Sequence, residues 1–250
     1  MKAIIIAAGR GSRIGRLTSD APKALLQLGT DTILDRTVAM LRAAGVRDIV
    51  VVRGYMSARI EVEDVTFVEN ENWQDTEVLG SIFAARAHLQ GDVIILYSDI
   101  VFEARTLSTA LATSGALQPV VDLEWRAAYK GRKNHPLSEA DKVVLRSDGT
   151  IKRIGKLGIR HEDADGEFIG MLRLSGDGAA SLTAAHDLAA RSPEAPFVRA
   201  PTFRKAYLTD LLQDMIDRGA DLRPIIVRGG WREIDTEEDL SRAQEWLRTL

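Results

Sequence analysis

A glycine- and arginine-rich stretch directly after a short apolar run constrains this chain more than any other feature. Ala3-Ile4-Ile5-Ile6 has the composition of a buried strand, and residues 7–23, AAGRGSRIGRLTSDAPK, follow it. Gly9 and Gly11 let the backbone approach a ligand closely, with successive N–H groups pointing at it. Cationic side chains crowd the same stretch: Arg10, Arg13, Arg16 and Lys23. The stretch predicts a polyphosphate site rather than an ordinary strand-to-helix turn with solvated arginines.

Two common phosphate-binding loops do not fit these residues. A Walker A loop requires G-x-x-x-x-G-K-[ST], and no lysine here follows a glycine in that arrangement. A dinucleotide fingerprint requires G-x-G-x-x-G, but Ile14 stands at its third glycine position and Gly15 comes one residue late. Pro22-Lys23 also interrupts the region where that fold continues its first helix. A nicotinamide-dependent oxidoreductase is therefore a weak alternative.

Composition and charge exclude several classes of function. The chain has 250 residues, of which 45% are hydrophobic and 28% charged, which is typical of a soluble globular protein. The net charge of −3 argues against general nucleic-acid binding, and the lack of cysteine excludes disulfides and zinc–sulfur sites. No apolar run approaches the roughly 20 residues that cross a bilayer, and no signal-peptide pattern is present. We expect a cytoplasmic protein that binds neither nucleic acid nor membranes.

Strands and helices alternate in the first half of the chain, which predicts an α/β fold. We expect a Rossmann-like mixed, mainly parallel sheet with helices on both faces, in a single domain spanning residues 1–250. From about 120 to 175 the pattern changes to short strands with turns. This segment predicts a small β-rich insertion that binds the acceptor and builds over the sheet rather than extending it. The individual elements are strands at 48–52, 67–68, 93–97 and 225–227, and helices at 33–45, 80–89 and 236–247.

A further amphipathic helix is indicated by the spacing of Leu208, Leu211, Leu212 and Met215. Packing in the core is the preferred interpretation of this apolar stripe. Part of it could instead face a second copy of the chain in a homodimer.

Asp99 is the first candidate for chemistry outside the N-terminal loop. It follows the apolar strand Val93–Tyr97, and ligands of open α/β sheets bind beyond the carboxyl ends of the strands. A carboxylate at that point suits Mg²⁺, a hard cation that prefers carboxylate and triphosphate oxygens. The alternative is that Asp99 caps the following turn.

The loop and its Pro-Lys pair resemble the opening motif of a known enzyme family. Ala7-Ala8-Gly9-Arg10-Gly11-Ser12-Arg13 followed by Pro22-Lys23 is similar to the motif of nucleotidyltransferases with the nucleotide-diphospho-sugar transferase fold. Gly230-Trp231-Arg232-Glu233-Ile234-Asp235-Thr236 is similar to a segment of phosphocholine and phosphonate cytidylyltransferases. Segments 97–102, 122–132, 135–137, 153–156 and 166–170 resemble the nucleotidyltransferase domain sometimes fused to phosphoenolpyruvate phosphomutase, and phosphocholine cytidylyltransferases match the middle segment less well. The resemblance implies an Mg²⁺-dependent enzyme that couples CTP to 2-aminoethylphosphonate or 2-hydroxyethylphosphonate and releases pyrophosphate.

The resemblance also implies roles for individual residues. Asp99 and Asp235 would hold the metal ion, although Tyr97 replaces the first acid of the Asp-Ala-Asp pattern that is common in the family. Arg13, Lys23 and Lys156 would be catalytic, acting on phosphate and phosphonate oxygens. The nucleotide would be bound by Ala7, Ala8, Gly9, Arg10, Gly11, Ser12, Gly80 and Ser81.

The acceptor site is predicted mainly from acidic, aromatic and basic residues that cluster within residues 121–132. Phosphonate oxygens favour arginine or lysine, whereas an ammonium group favours aromatic rings beside a carboxylate. The candidates are Asp122, Trp125, Tyr129, Arg132, Glu167 and Trp231. Each aromatic residue is equally well explained by packing beneath the insertion.

Two other functions remain open. The acceptor could be phosphocholine or a sugar 1-phosphate, with UTP, dTTP or GTP in place of CTP. The chain could also be a non-catalytic regulator that binds a nucleotide on the same fold.

Overall fold

Three apolar strands form the centre of the molecule. The structure, a computed structural model, describes residues 1–250 apart from the side chain of Arg16. Ile4 in the first strand is paired in parallel with Val50 on one side and with Ile95 on the other. All three side chains are buried, as expected for strands covered on both faces.

The elements of the described residues are as follows. The strands are β1 (Lys2–Ala7), β2 (Gln27–Leu28), β3 (Asp31–Thr32), β4 (Asp48–Arg53), β5 (Thr66–Glu69), β6 (Val93–Tyr97), β7 (Ile100–Phe102), β8 (Leu117–Asp122), β9 (Lys142–Leu145), β10 (Ile151–Gly155), β11 (Gly166–Leu174), β12 (Ile225–Val227) and β13 (Trp231–Glu233). The helices are α1 (Ile33–Ala43), α2 (Val78–Ala84), α3 (Ala104–Leu111), α4 (Arg126–Tyr129), α5 (Gly176–Ala189), α6 (Leu208–Asp217) and α7 (Glu237–Leu247). A membrane-crossing helix is absent from this set, since none is both long and apolar enough.

The central sheet is mixed, which confirms the predicted fold class. Counted over the described residues it has nine strands, in the order β10-β9-β11-β6-β1-β4-β5, with β8 beside β11 and β12 beside β8. β1, β4, β5 and β6 are parallel to one another, and β11 runs antiparallel to β6. Two-stranded pairs β7–β13 and β2–β3 lie outside it.

The segment from 120 to 175 is built into this sheet, which corrects one expectation. β11 is buried along its whole length and pairs with β6, β8 and β9. The segment therefore extends the sheet rather than building over it. The physical reason is that a nine-residue strand without polar alternation needs cover on both faces, which only a central position provides.

Side chains alternate between two apolar layers along the strands. Ile4 and Ile6 pack in the layer that holds α2, α5 and α6, whereas Ala3 and Ile5 pack in the layer that holds α1 and α3. The apolar stripe of α6 lies in the first layer, which confirms that it is core. Helix 80–89 of the prediction is shorter than expected, because α2 ends at Ala84 and a 3₁₀ turn covers Arg86–His88.

Pairing of β7 with β13 positions two distant parts of the chain beside each other. Ile100 is in register with Glu233, and the Ile234 N–H donates to the Asp99 carbonyl over 2.9 Å. α7 begins directly afterwards, with Thr236 and Asp239 forming the expected capping box. The loop after β6 and the loop before α7 are thereby held at one edge of the sheet.

Candidate active site

A cavity of about 390 Å³ opens at the carboxyl ends of β1 and β6. Loops from opposite ends of the sequence meet in it, as expected for a ligand site of an α/β sheet. The residues proposed from the sequence that do line this cavity are Ala8, Gly9, Arg10, Gly11, Ser12, Arg13, Lys23, Ser81, Asp99, Lys156, Glu167, Trp231 and Asp235.

The N-terminal loop forms one wall of the cavity. Gly11 has φ 69°, and a Cβ added there would lie 2.8 Å from Cβ of Lys23. Glycine therefore allows both the left-handed backbone and the close packing of Lys23 against it. The Thr18 hydroxyl donates to the Gly11 carbonyl over 3.0 Å and holds the turn. The guanidinium of Arg10 lies 5.5 Å from the ring centroid of Tyr55. The side chain of Arg16 is outside the part of the chain that the structure describes.

Lys23 joins the two acids that the sequence predicted to converge. Its Nζ lies 2.9 Å from Oδ2 of Asp99 and 2.5 Å from Oδ1 of Asp235. Burial opposes the charged form of Lys23, but Asp99 and Asp235 together raise its pKa above the ordinary value. The two carboxylates thus face one common cation position.

Arg13 adds a second cation to the same group. Its guanidinium lies 2.8 Å from Oδ2 of Asp235 and 2.9 Å from Oε2 of Glu139. Burial tends to raise the pKa of Asp235, but Lys23 and Arg13 outweigh it and lower this pKa to about 2. Asp235 is only 3% exposed, so it is ionised in a largely desolvated position.

Three further acids, Asp141, Glu167 and Glu233, line the same cavity. Burial raises the pKa of Glu167 to about 8 and that of Asp141 to about 6. Burial, with Asp235 and Asp99 nearby, also raises the pKa of Glu233 above its ordinary value. Among the described residues, Oε2 of Glu167 has no hydrogen-bond partner, while Oε1 accepts from the Tyr129 hydroxyl over 2.5 Å. This acidic wall (Asp141, Glu167 and Glu233) is able to accept a cationic group.

Lys156 lines the cavity together with these acids. Its Nζ is 5.4 Å from the ring centroid of Tyr207. Burial tends to lower the pKa of Lys156, but Asp141 and Glu233 raise it above the ordinary value. An anion and a cation can therefore be bound side by side here.

Glu167→Gln is expected to stabilise the protein more at pH 8 than at pH 5. Between the ordinary pKa of 4.5 and the raised value of about 8, folded Glu167 keeps a proton that the unfolded chain has released. Wild-type stability therefore falls as pH rises through this window, and glutamine has no proton to lose. Thermal unfolding midpoints across the window measure the difference.

Exposed Glu245→Gln is the matched control for that comparison, and its midpoint should follow the wild type at every pH. A Glu167→Gln effect that stays constant with pH would contradict the raised pKa.

Four of the predicted acceptor residues do not line this cavity. Asp122 accepts from Trp231 Nε1 over 2.8 Å and from the Gly229 N–H over 2.9 Å. Trp125 is fully buried in a small apolar cluster that also includes Tyr129. Arg132 donates from Nε to Oδ1 of Asp239 over 2.7 Å. Among the described residues, Asp122, the Tyr129 hydroxyl and Nε of Arg132 have hydrogen-bond partners inside the protein, whereas Nε1 of Trp125 and Nη2 of Arg132 have none.

Two nucleotide-binding predictions also lie behind the cavity wall. Ala7 ends β1 in the apolar core. A Cβ added to Gly80 would lie 2.4 Å from Cβ of Thr76, so Gly80 permits close packing of that segment. Ser81 does line the cavity, together with Trp73, Gln74 and Thr76.

Sequence reasoning missed several lining residues. Glu233 stands inside the motif that drew attention to Asp235, and its position two residues before Asp235 was the available signal. Glu139, Asp141 and Tyr207 carry no recognisable motif. Only the pairing of β9 with β11 and the placement of α6 bring them to the site.

Residues 3–164 match the sequence family of the MobA-like NTP transferase domain. This chain belongs to that family. The MobA-like NTP transferase is a nucleotidyltransferase, which confirms the family indicated by the loop motif and makes the oxidoreductase alternative wrong.

Named relatives of this MobA-like NTP transferase include cytidylyltransferases. The CTP:phosphoglutamine cytidylyltransferase of Campylobacter jejuni is 27% identical, over 96% of this chain and 98% of that protein. The 2-aminoethylphosphonate cytidylyltransferase of Lancefieldella rimae is 32% identical, over 62% of this chain and 61% of that protein. The solved CTP:phosphocholine cytidylyltransferase from Streptococcus pneumoniae (LicC) superimposes with a TM-score of 0.71 at 19% identity, over 98% of both chains. The last comparison shows a shared fold.

Proposed function

We propose that this protein transfers CMP from CTP to 2-aminoethylphosphonate and releases pyrophosphate. The observation that carries the proposal is the composition of the cavity, which is lined by the cations Arg13, Lys23 and Lys156 and by the acidic wall. A phosphonate with an amino group matches that pair of charges. The cytidylyltransferase names of the relatives support CTP as the donor.

The nucleotide end binds the triphosphate. We assign the β- and γ-phosphates to the backbone N–H groups of residues 9–12 and the Arg13 guanidinium, since both provide convergent donors. Lys23 lies deeper and would contact the α-phosphate or the incoming phosphonate. The wall formed by Trp73, Gln74, Thr76 and Ser81 would bind the base and ribose.

The residues fit a divalent cation. Asp99 and Asp235 already share one ammonium at 2.9 and 2.5 Å, so both point at a position suited to positive charge. Their carboxylate oxygens are the ligands that hard cations prefer, and we propose Mg²⁺. When bound, Mg²⁺ supplies neutralisation of phosphate charge.

The reaction is an in-line displacement. A phosphonate oxygen forms a bond to the α-phosphorus, and the bond from this phosphorus to the bridging oxygen of pyrophosphate breaks. The phosphonate is anionic near neutral pH, so it requires no strong general base. The obstacle is repulsion between two anions, which Lys23, Arg13 and Lys156 reduce by holding the reactants and their charge in place.

The acidic wall selects the acceptor. Glu167 is buried, Glu233 is partly buried and both line the cavity, so an ammonium bound there would return both carboxyls towards the ionised form. A hydroxyl in its place would form a neutral hydrogen bond. Because charged hydrogen bonds contribute about 1.5–3 kcal/mol and neutral ones about 1, this supports the amino compound over 2-hydroxyethylphosphonate.

A second candidate acceptor is phosphoglutamine. The full-length correspondence with the Campylobacter jejuni enzyme favours it. Phosphoglutamine also combines an anionic phosphoryl group with an ammonium, so it matches the cations and the acidic wall of the cavity in the same way.

A pyrophosphate-release assay tests the proposal. CTP, UTP, dTTP and GTP are each combined with 2-aminoethylphosphonate, 2-hydroxyethylphosphonate, phosphoglutamine, phosphocholine and a sugar 1-phosphate. We expect CTP with 2-aminoethylphosphonate to give the highest kcat/KM, roughly tenfold or more above 2-hydroxyethylphosphonate. Higher kcat/KM with the hydroxyl compound would contradict the ammonium site.

Glu233→Gln and Arg10→Lys serve as paired variants in that assay. The first should reduce the preference for the amino acceptor over the hydroxyl acceptor, and the second should leave this preference unchanged. Tight CTP binding without turnover on any acceptor would instead support a non-catalytic regulator.

A further inference from the structure

His135 is a buried imidazole directly behind the carboxylates of the site. It is 3% exposed. Its Nδ1 lies 3.6 Å from Oδ2 of Asp235 and 3.4 Å from Oδ2 of Asp239, and its Nε2 lies 3.4 Å from Oε2 of Glu233. Both ring nitrogens therefore face carboxylate oxygens that belong to the site or its support.

Asp239 holds the backbone beneath Asp235. Its Oδ2 accepts from the N–H groups of Asp235 and Thr236 over 3.2 and 3.0 Å. Its Oδ1 accepts from Nε of Arg132 over 2.7 Å. The main chain of Asp235 is thus fixed by Asp239, whereas the Asp235 side chain faces His135 on one side and Lys23 on the other.

Tyr129 fixes the orientation of the imidazole. The two rings meet edge to face, with centroids 5.8 Å apart and planes at 80°. Arg132 lies over the Tyr129 ring at 4.6 Å, and the Tyr129 hydroxyl donates to Glu167. The tyrosine and arginine that were expected to bind the acceptor instead form a rigid support for His135.

We propose that His135 is a positioning residue that orients the carboxylate of Asp235 for metal binding, with its second ring nitrogen against Glu233. The proposal rests on the metal site of the proposed function. Nδ1 directs Asp235 and Nε2 directs Glu233, so one ring sets the separation of the two acids. Support from behind a metal ligand commonly contributes 10- to 100-fold in metal affinity.

Direct ligation by His135 is the rival interpretation. Single ligand atoms of His135, Glu233 and Asp235 lie within 4.8 Å of one another, so the three could surround one ion. Among the described residues, neither ring nitrogen has a hydrogen-bond partner, although Nε2 lies 3.4 Å from Glu233 and Nδ1 lies 3.6 Å from Asp235. Positioning is favoured because the two nitrogens lie against different carboxylates. An imidazole nitrogen that bound the metal directly would lose its contact with the neighbouring carboxylate.

Mn²⁺ titration of the full chain, followed by electron paramagnetic resonance without nucleotide or acceptor, tests the proposal. The variants are His135→Leu, which removes both nitrogens, and His135→Asn, whose amide nitrogen reaches the position of Nδ1. His186→Leu is the matched control. His186 stacks on Phe83 with the ring centroids 3.5 Å apart, and it does not line the cavity. Thermal unfolding is measured for every variant.

We expect His135→Leu to weaken Mn²⁺ binding by about tenfold or more, and His135→Asn to recover most of the loss. His186→Leu should bind as the wild type does. If the leucine variant does not fold, His135→Gln, which retains a donor near Nε2 alone, should show weakened binding in its place.

Wild-type Mn²⁺ affinity in a folded His135→Leu protein would overturn the positioning role, even with a lowered unfolding midpoint. Nitrogen-14 coupling from an imidazole in the electron spin-echo spectrum of the wild type, lost in the leucine variant, would overturn it in favour of direct ligation. A wild type that binds Mn²⁺ no better than the Asp99→Asn/Asp235→Asn double variant would overturn the metal assignment of the proposed function itself.

Discussion

Lys23→Met is expected to lower kcat for nucleotidyl transfer by about 10²- to 10³-fold, the cost typical of removing one charge-stabilising donor from a preorganised site. Lys23 is 7% exposed, and its ammonium contacts both Asp99 and Asp235. Methionine keeps most of the side-chain length and its packing on Gly11 but removes the charge. Steady-state pyrophosphate release with CTP and the preferred acceptor measures the loss, and circular dichroism checks the fold.

Lys152→Met is the matched control, because Lys152 is an exposed lysine on β10. Its kcat should equal that of the wild type. A folded Lys23→Met protein with full kcat would remove Lys23 from the mechanism. Unequal losses in kcat and KM would show whether the ammonium acts mainly in the transition state or in substrate binding.

Asp235→Asn is expected to lower kcat by at least about 10²-fold, because the change removes charge from the position where cation and phosphates meet. Asparagine keeps the shape of the side chain. The variant loses the carboxylate that Lys23 and Arg13 share and that we assign to Mg²⁺. Pyrophosphate release over a wide Mg²⁺ range measures the effect, and saturating metal should restore little of it.

Asp31→Asn controls for a general effect of losing an aspartate, since Asp31 is exposed. Its activity should match the wild type. Complete recovery of Asp235→Asn activity at high Mg²⁺ would mean that Asp235 tunes metal affinity but is dispensable for the reaction.

Asp99 could be anticipated from the sequence, because it follows an apolar strand and ligands of α/β sheets bind beyond strand ends. Asp235 was implied by the resemblance of residues 230–236 to cytidylyltransferases, and its convergence with Asp99 depended on the fold. The 17-residue stretch 7–23 was equally informative, because glycines and cations in that order have few structural uses. Strands β4, β6 and β12 followed from their apolar runs alone.

The acceptor contacts could not be anticipated in the same way. Trp125, Tyr129 and Arg132 have the residue types of an ammonium or phosphonate site, yet they pack behind it. Residue type does not reveal the direction of a side chain when the strand that carries it joins an unknown neighbour. The pairing of β11 with β6, β8 and β9 decided that direction.

The amino-acid sequence by itself determined the α/β class and made the glycine- and cation-rich loop and Asp99 candidates, because each depends on local spacing along the chain. Asp235 became a candidate only through the family resemblance. Tertiary structure alone decided that Asp141, Glu167 and Glu233 form an acidic wall and that His135 lies behind Asp235. Such groupings depend on strand order and on burial. Burial is the largest cause of the raised pKa values of these acids, and only the folded chain removes them from water.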